Sequence, residues 1–163
     1  MSVESPFFIR DQYIVDLSFE SQGPKVFSDA GAGEPEVALN VHVTGGVNDK
    51  AEEGSTGYHI DLTMHITASL NGKTGYILEM KSRCEFDITD TSLSEDNVKF
   101  IVLSEVPRFM FPFMRQEIAR ITGEGGFTPL RLAPISFMPD GVQEVDEGDE
   151  DDMPSRKKTP SIH

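Results

Sequence analysis

A single cysteine, Cys84, stands in 163 residues, tryptophan is absent, and only 14 Lys plus Arg face 28 Asp plus Glu. One thiol excludes an internal disulfide, and the start Met1-Ser-Val-Glu-Ser-Pro has no basic n-region, so a reducing cytoplasm is expected. A formal charge of −14 repels phosphate backbones and anionic head groups, which reward basic clusters; nucleic acid and membrane surfaces are not expected partners. Long hydrophobic runs are missing too. The longest wholly apolar stretch, Phe109 to Met114, is six residues, where a membrane span needs about 20.

What is present suffices for one folded domain: 37% hydrophobic residues, 11 of them Phe, concentrated before residue 139. Residues 139–163 hold eight acids (Asp140, Glu144, Asp146, Glu147, Asp149, Glu150, Asp151, Asp152), three bases and few large apolar side chains. This composition predicts an acidic, disordered tail behind a body spanning 1–138.

Strand periodicity dominates the first half. Phe7, Ile9, Asp11, Tyr13, Val15, Leu17 and Phe19 alternate with Arg10, Gln12, Asp16, Ser18 and Glu20, which predicts one long strand with a wet face. Val37 to Val43 alternate as a second strand, and Tyr58 to Leu70 as a third, with Ile60, Leu62, Met64 and Ile66 dry and His59, Asp61, Thr63 and His65 wet. A fourth strand follows at once. A two-residue Asn71-Gly72 loop would place Met64 opposite Glu79, so face matching favours the three-residue loop Asn71-Gly72-Lys73, with Leu70 opposite Thr74. In that register Ala68 meets Tyr76, Met64 meets Met80 and Ile60 meets Cys84, while His65 meets Glu79, Asp61 meets Arg83 and His59 meets Glu85.

Helical spacing appears later: Phe109, Met110, Phe113, Met114, Ile118 and Ile121 recur between Phe109 and Thr122 before Gly123. They cover an arc of about 180°, wider than the roughly 100° needed to cover one sheet. The helix is therefore expected to pack on its own sheet and on a partner chain, with these six residues at the oligomer interface. A short preceding helix is expected over 97–104, and an extended apolar segment over 127–137.

Catalytic readings are weak. Cys84 falls on the dry face and His59 and His65 on the wet one, which rules out a Cys–His dyad between them. The two histidines, roughly 20 Å apart along one strand, cannot share a metal. Gly123-Glu124-Gly125-Gly126 follows a helix, where a phosphate cradle would precede one. No cofactor or metal is expected. One wet-face feature differs: Ile77 is an apolar residue among Asp16, Glu20, Glu79 and Lys81. If the first strand adjoins the fourth, an acidic rim surrounds an exposed hydrophobe, which suits a small basic partner.

Four segments carry a resemblance: Ile14-Val15-Asp16-Leu17-Ser18-Phe19-Glu20, Thr67-Ala68-Ser69-Leu70, Phe111-Pro112-Phe113-Met114-Arg115, and Gly126-Phe127-Thr128-Pro129-Leu130-Arg131-Leu132-Ala133-Pro134-Ile135-Ser136-Phe137. In order and spacing they resemble the SecB family of bacterial protein-export chaperones across about residues 7–138. The resemblance implies an α+β fold, a four-stranded antiparallel sheet in the order 1-4-3-2 backed by one long helix. It also implies a homotetramer, a dimer of dimers, that holds unfolded secretory precursors and hands them to the SecA motor ATPase with no enzymatic activity. Carried over by motif, the SecA-docking positions are Asp16, Glu20, Ile77 and Glu79, and the client groove takes Phe27, Tyr76, Phe127 and Phe137. A related chaperone dedicated to one partner such as an antitoxin, and a small-molecule enzyme or carrier, are the alternatives. The chain departs from the family after Met138, where Pro139 and Gly141 oppose a second helix.

Overall fold

The protein is described by a computed structural model over residues 4–48, 51 and 53–144. Its elements are strand β1 (Phe7–Ser21), helix α1 (Lys25–Ala30), and strands β2 (Glu36–Asn48), β3 (Thr56–Leu70) and β4 (Lys73–Ile88). A helical run follows: α2 (Glu95–Phe100), a wide π-type turn (Ile101–Glu105) and α3 (Val106–Glu124), and then strands β5 (Ile135–Met138) and β6 (Gly141–Glu144). The four long strands form one antiparallel sheet in the order β1-β4-β3-β2, as expected. Of the tail expected over 139–163, residues 139–144 instead form a turn and strand β6, since β5 offers them a pairing edge, and those from 145 onward lie outside the described residues.

The β3–β4 ladder keeps the expected face matching. Ala68 pairs with Tyr76, Met64 with Met80, Ile60 with Cys84, Asp61 with Arg83 and His65 with Glu79. The turn itself is different. Leu70 pairs with Lys73 across a two-residue Asn71-Gly72 turn whose φ values, 49° and 76°, are both left-handed. That is the primed hairpin turn Asn-Gly favours, because its twist matches the strands. The register that this turn alone would impose is undone by a bulge: Gly75 is the extra residue between Thr74, opposite Ser69, and Tyr76, opposite Ala68. Glycine leaves room there for the Phe27 ring, which a Cβ on Gly75 would displace.

β1 departs from plain alternation in its middle. Register shifts between Ile9 and Asp11 and between Ile14 and Asp16 insert Arg10 and Val15 as bulges. Each extra residue reverses the faces, so Gln12 and Ile14 turn to the helix side opposite Cys84 and Ser82, while Asp11 and Tyr13 turn to the open side. The second bulge restores the pattern, with Leu17 opposite Met80 and Phe19 opposite Leu78. The odd-numbered face expected for the whole strand therefore holds only at its two ends.

The helical run starts at Ser94, whose Oγ accepts from the Asn97 N–H, and carries Glu95 and Asp96 in its first turn, where the helix dipole favours acids. The expected short helix is thus present, joined to the long one. The wide turn sits just before Pro107, which lacks the N–H that would bond four residues back and whose ring crowds that carbonyl. Pro112 is accommodated inside α3. The helix runs to Glu124, one residue past its first glycine, Gly123: Gly126 takes φ 86°, and the Gly125 and Phe127 N–H groups bond Ile121 and Thr122 carbonyls.

The core lies between the sheet and α3. Ile60, Leu62, Met64, Ile66, Leu78, Met80 and Phe86 supply the sheet side, and Met110, Met114 and Ile118 the helix side. The broad apolar arc of α3 is accordingly divided. Met110, Met114, Ile118 and Ile121 are buried in their own chain and have almost no surface left for a partner. Phe109 and Phe113 point outward, 52% and 65% exposed. Of the six residues expected at an oligomer interface, only these two remain available to one.

After α3 the chain runs back extended, tied at two points: the Leu130 N–H donates to Thr122 Oγ1 at 2.9 Å and Arg115 Nε donates to the Leu132 carbonyl at 2.5 Å. β5 and β6 then form a two-stranded hairpin in which Ile135 pairs with Glu144. Among the described residues, a hairpin stands where a second helix was opposed by Pro139 and Gly141.

Candidate functional site

The open face of the sheet, away from α3, brings the four expected docking residues together. Asp16 pairs with Lys81, Ser18 with Glu79 and Glu20 with Ile77, and directly paired residues share a face. On the other side of β4, Ile77 faces Thr67 and Glu79 faces His65. Ile77 keeps 37% of its surface exposed, an apolar spot between acids. Lys81 does not neutralise this rim, because its ammonium pairs with Asp61 at 3.2 Å. The arrangement offers a basic segment opposite charge for steering and one apolar contact for register.

Asp61 anchors the lower part of that face. Its carboxylate is buried and accepts a fork from Arg83, Nε at 2.6 Å and a terminal nitrogen at 2.8 Å. These bonds, outweighing the opposing effect of burial, hold Asp61 below its ordinary carboxylate value. A depressed folded value means that the stabilisation is complete above the unfolded value, near 4, and is lost as pH falls through the folded one. Thermal melts below about pH 4 should therefore show a stability decline that is shallower in Asp61→Asn, a variant about 1–3 kcal/mol less stable at neutral pH. Parallel acid profiles for both proteins would contradict this role.

The remaining polar candidates do not assemble a reactive centre. Cys84 has no exposed surface, and burial, with Asp11 and Glu85 adding repulsion, pushes its thiol up to about 11, which keeps it protonated. His59 lies opposite Glu85 and His65 opposite Glu79, as the register predicted. Among the described residues no three His, Cys, Asp or Glu side chains group as a metal site.

The expected groove residues are only partly brought together. Phe27 and Phe127 meet edge to face at 5.4 Å, and Phe127 meets Tyr76 at 4.8 Å. Phe137 lies elsewhere, against Phe111 at 6.2 Å. Tyr76, Phe127 and Phe137 are buried, and burial raises the Tyr76 hydroxyl above its ordinary value. Phe19 joins this cluster through Tyr76 at 5.6 Å. Sequence reasoning passed over Phe19 as a groove residue, although its dry-face position was the available signal. Phe27 and Phe19 are the half-buried members of the cluster, the Phe27 ring lying on Gly75 and the Phe19 ring on Gly125.

A second apolar region went unassigned. The edge strand β1 leaves Ile14 and Leu17 exposed on the helix side, and with Phe113, Met80 and Met114 the first of these lines a cleft of about 560 Å³ between β1 and α3. Unpaired strand edge and exposed apolar side chains thus adjoin.

Comparison with known proteins accords with this architecture. The family model described as preprotein translocase subunit SecB matches residues 2–140. The protein-export protein SecB of Rhodospirillum rubrum is 36% identical over 135 residues, covering 82% of this chain and 79% of that one. Its counterpart in Paramagnetospirillum magneticum is 37% identical over 131 residues, covering 80% and 79%. Among solved structures, a SecB-like chaperone of Mycobacterium tuberculosis, in complex with a ChAD peptide from the HigA1 antitoxin, shares the fold with a TM-score of 0.57 at 14% identity, covering 80% of this chain and 91% of that one. Matched by that family's model over residues 2–140 and by relatives at 36–37% identity over four-fifths of its length, the chain belongs to the SecB family and is a chaperone of protein export.

Proposed function

We propose that this chaperone holds unfolded preproteins in the bacterial cytoplasm and passes them to the SecA motor ATPase, with no chemistry of its own. The observation that carries this reading is the open-face patch, where Asp16, Glu20 and Glu79 surround half-exposed Ile77 on the side of the sheet away from the helix. SecA docks there through a basic segment. Clients use apolar surface around Phe27, Tyr76, Phe127 and Phe137, separate from that patch, so both can be engaged at once. An unfolded client presents aromatic and aliphatic side chains and unpaired backbone, and a cluster whose outer members are the half-buried Phe19 and Phe27 can open to receive them. The working form is a homotetramer, a dimer of dimers. Exposed Phe109 and Phe113 and the apolar edge of β1 supply surface that four copies would cover.

The direct test is suppression of aggregation of a reduced, unfolded precursor, followed by capture of the complex on immobilised SecA. Holding is expected in the presence of chelator and without nucleotide, and the precursor should be retained on SecA only when the chaperone is present. Activity that vanishes with chelator, or a precursor–chaperone complex that SecA does not retain, would sink the reading.

A further inference from the structure

A cleft of about 600 Å³ opens between α3 and the extended segment before β5, lined by Phe111, Pro112, Ala119 and Pro134 together with Arg115 and Arg131. Cations are scarce in a chain of net charge −14. Arg10, Lys25, Lys81, Arg83, Arg108 and Arg120 are each held by a carboxylate. Lys73, Lys99, Arg115 and Arg131 have no carboxylate partner among the described residues, and the two arginines both line this one cleft. Arg115 is held in place by its Nε bond to the Leu132 carbonyl, so its fork is positioned without being neutralised. A positioned guanidinium and a second, exposed one beside apolar walls suit carboxylates carried on a polypeptide.

The described chain ends beside this cleft. β6 runs antiparallel to β5 and Glu144 pairs with Ile135, the residue next to Pro134 on the cleft wall. Asp146, Glu147, Asp149, Glu150, Asp151 and Asp152 follow at once. At about 3.3 Å per extended residue, the distance from Ile135 back to Arg131 is at most about 13 Å, and residues 146–152 reach from about 7 to 26 Å beyond Glu144. We propose that the cleft is a binding site for acidic polypeptide and that its resident occupant is the 146–152 segment of the same chain. Tethering places those acids at an effective concentration in the millimolar range, so weak contacts suffice. The segment then lies along α3 over Phe111 and Pro112, and a client entering this cleft has to displace it. This assignment does not depend on SecA docking or on the groove residues proposed above.

The test uses the full chain carrying Gly148→Cys labelled with a nitroxide, since Cys84 is wholly buried and does not take the label. At low salt the Ala119 and Leu132 methyl signals should be lost through paramagnetic broadening, while that of Ile77, on the opposite side of the sheet, is kept. Half-molar salt should restore them by screening. Arg131→Gln alone, an exposed change, should restore them in part, and Arg115→Gln with Arg131→Gln fully. Retained Ala119 and Leu132 signals in the labelled parent at low salt would overturn the proposal. So would broadening that appears only on mixing spin-labelled chains with isotope-labelled ones, because the occupant would then be a second copy.

Discussion

Phe113→Glu should break the assembly and leave the chain folded. Light scattering at micromolar concentration should report fewer than four chains, while circular dichroism and the melting of the remaining species stay close to the parent. Phe113 contributes little to its own chain, being 65% exposed, so a charge there finds water in the monomer. In a covered interface the same change removes about 1.5–3 kcal/mol of apolar burial per copy and adds an unpaired charge costing several kcal/mol more. Met114→Glu and Ile118→Glu act differently, because both side chains are already buried against the sheet. A carboxylate there costs about 3–5 kcal/mol, a large share of a domain's whole stability, and should unfold the chain. An unchanged mass for Phe113→Glu would show that the outward face of α3 is not an interface.

Charge reversal of the open face is the second large effect expected. Glu20→Lys with Glu79→Lys should weaken SecA docking by tenfold or more, about 1.4 kcal/mol at least, chiefly through slower association. Added salt should mimic the loss in the parent, since exposed charges are screened over about 8 Å at physiological ionic strength. Ile77→Asp should also weaken docking, with less salt sensitivity, because it removes an apolar contact. Client holding should survive all three changes, as these side chains lie on the open face and the aromatic cluster includes Phe127 beyond α3. Lys variants that lose clients and keep SecA would reverse the assignment of the two surfaces.

Much of this site is legible in the sequence alone. Asp16, Glu20, Ile77 and Glu79 fall on one face because a strand alternates with period two and complementary charges select the β3–β4 register. The aromatic groove was less so, because four Phe and Tyr residues from distant segments carry no period that says which of them meet: Phe27, Tyr76 and Phe127 do, and Phe137 packs on Phe111. The Arg115–Arg131 cleft had no local signal at all, since it depends on the return of the chain across α3.

The sequence by itself determined the four long strands, the long helix, the pairing of β3 with β4 and the acidic open face, all properties of local periodicity and charge. Tertiary structure alone decided three things. Bulges at Arg10 and Val15 invert the middle of β1, a change that costs the alternation nothing visible and depends on the partner strand's register. Gly75 absorbs the extra residue that lets a two-residue Asn71-Gly72 turn coexist with matched faces, because the Phe27 ring occupies the space a side chain would need. And the apolar arc of α3 is shared between inside and outside by the width of the sheet it covers, which buries Met110, Met114, Ile118 and Ile121 and leaves Phe109 and Phe113 in water.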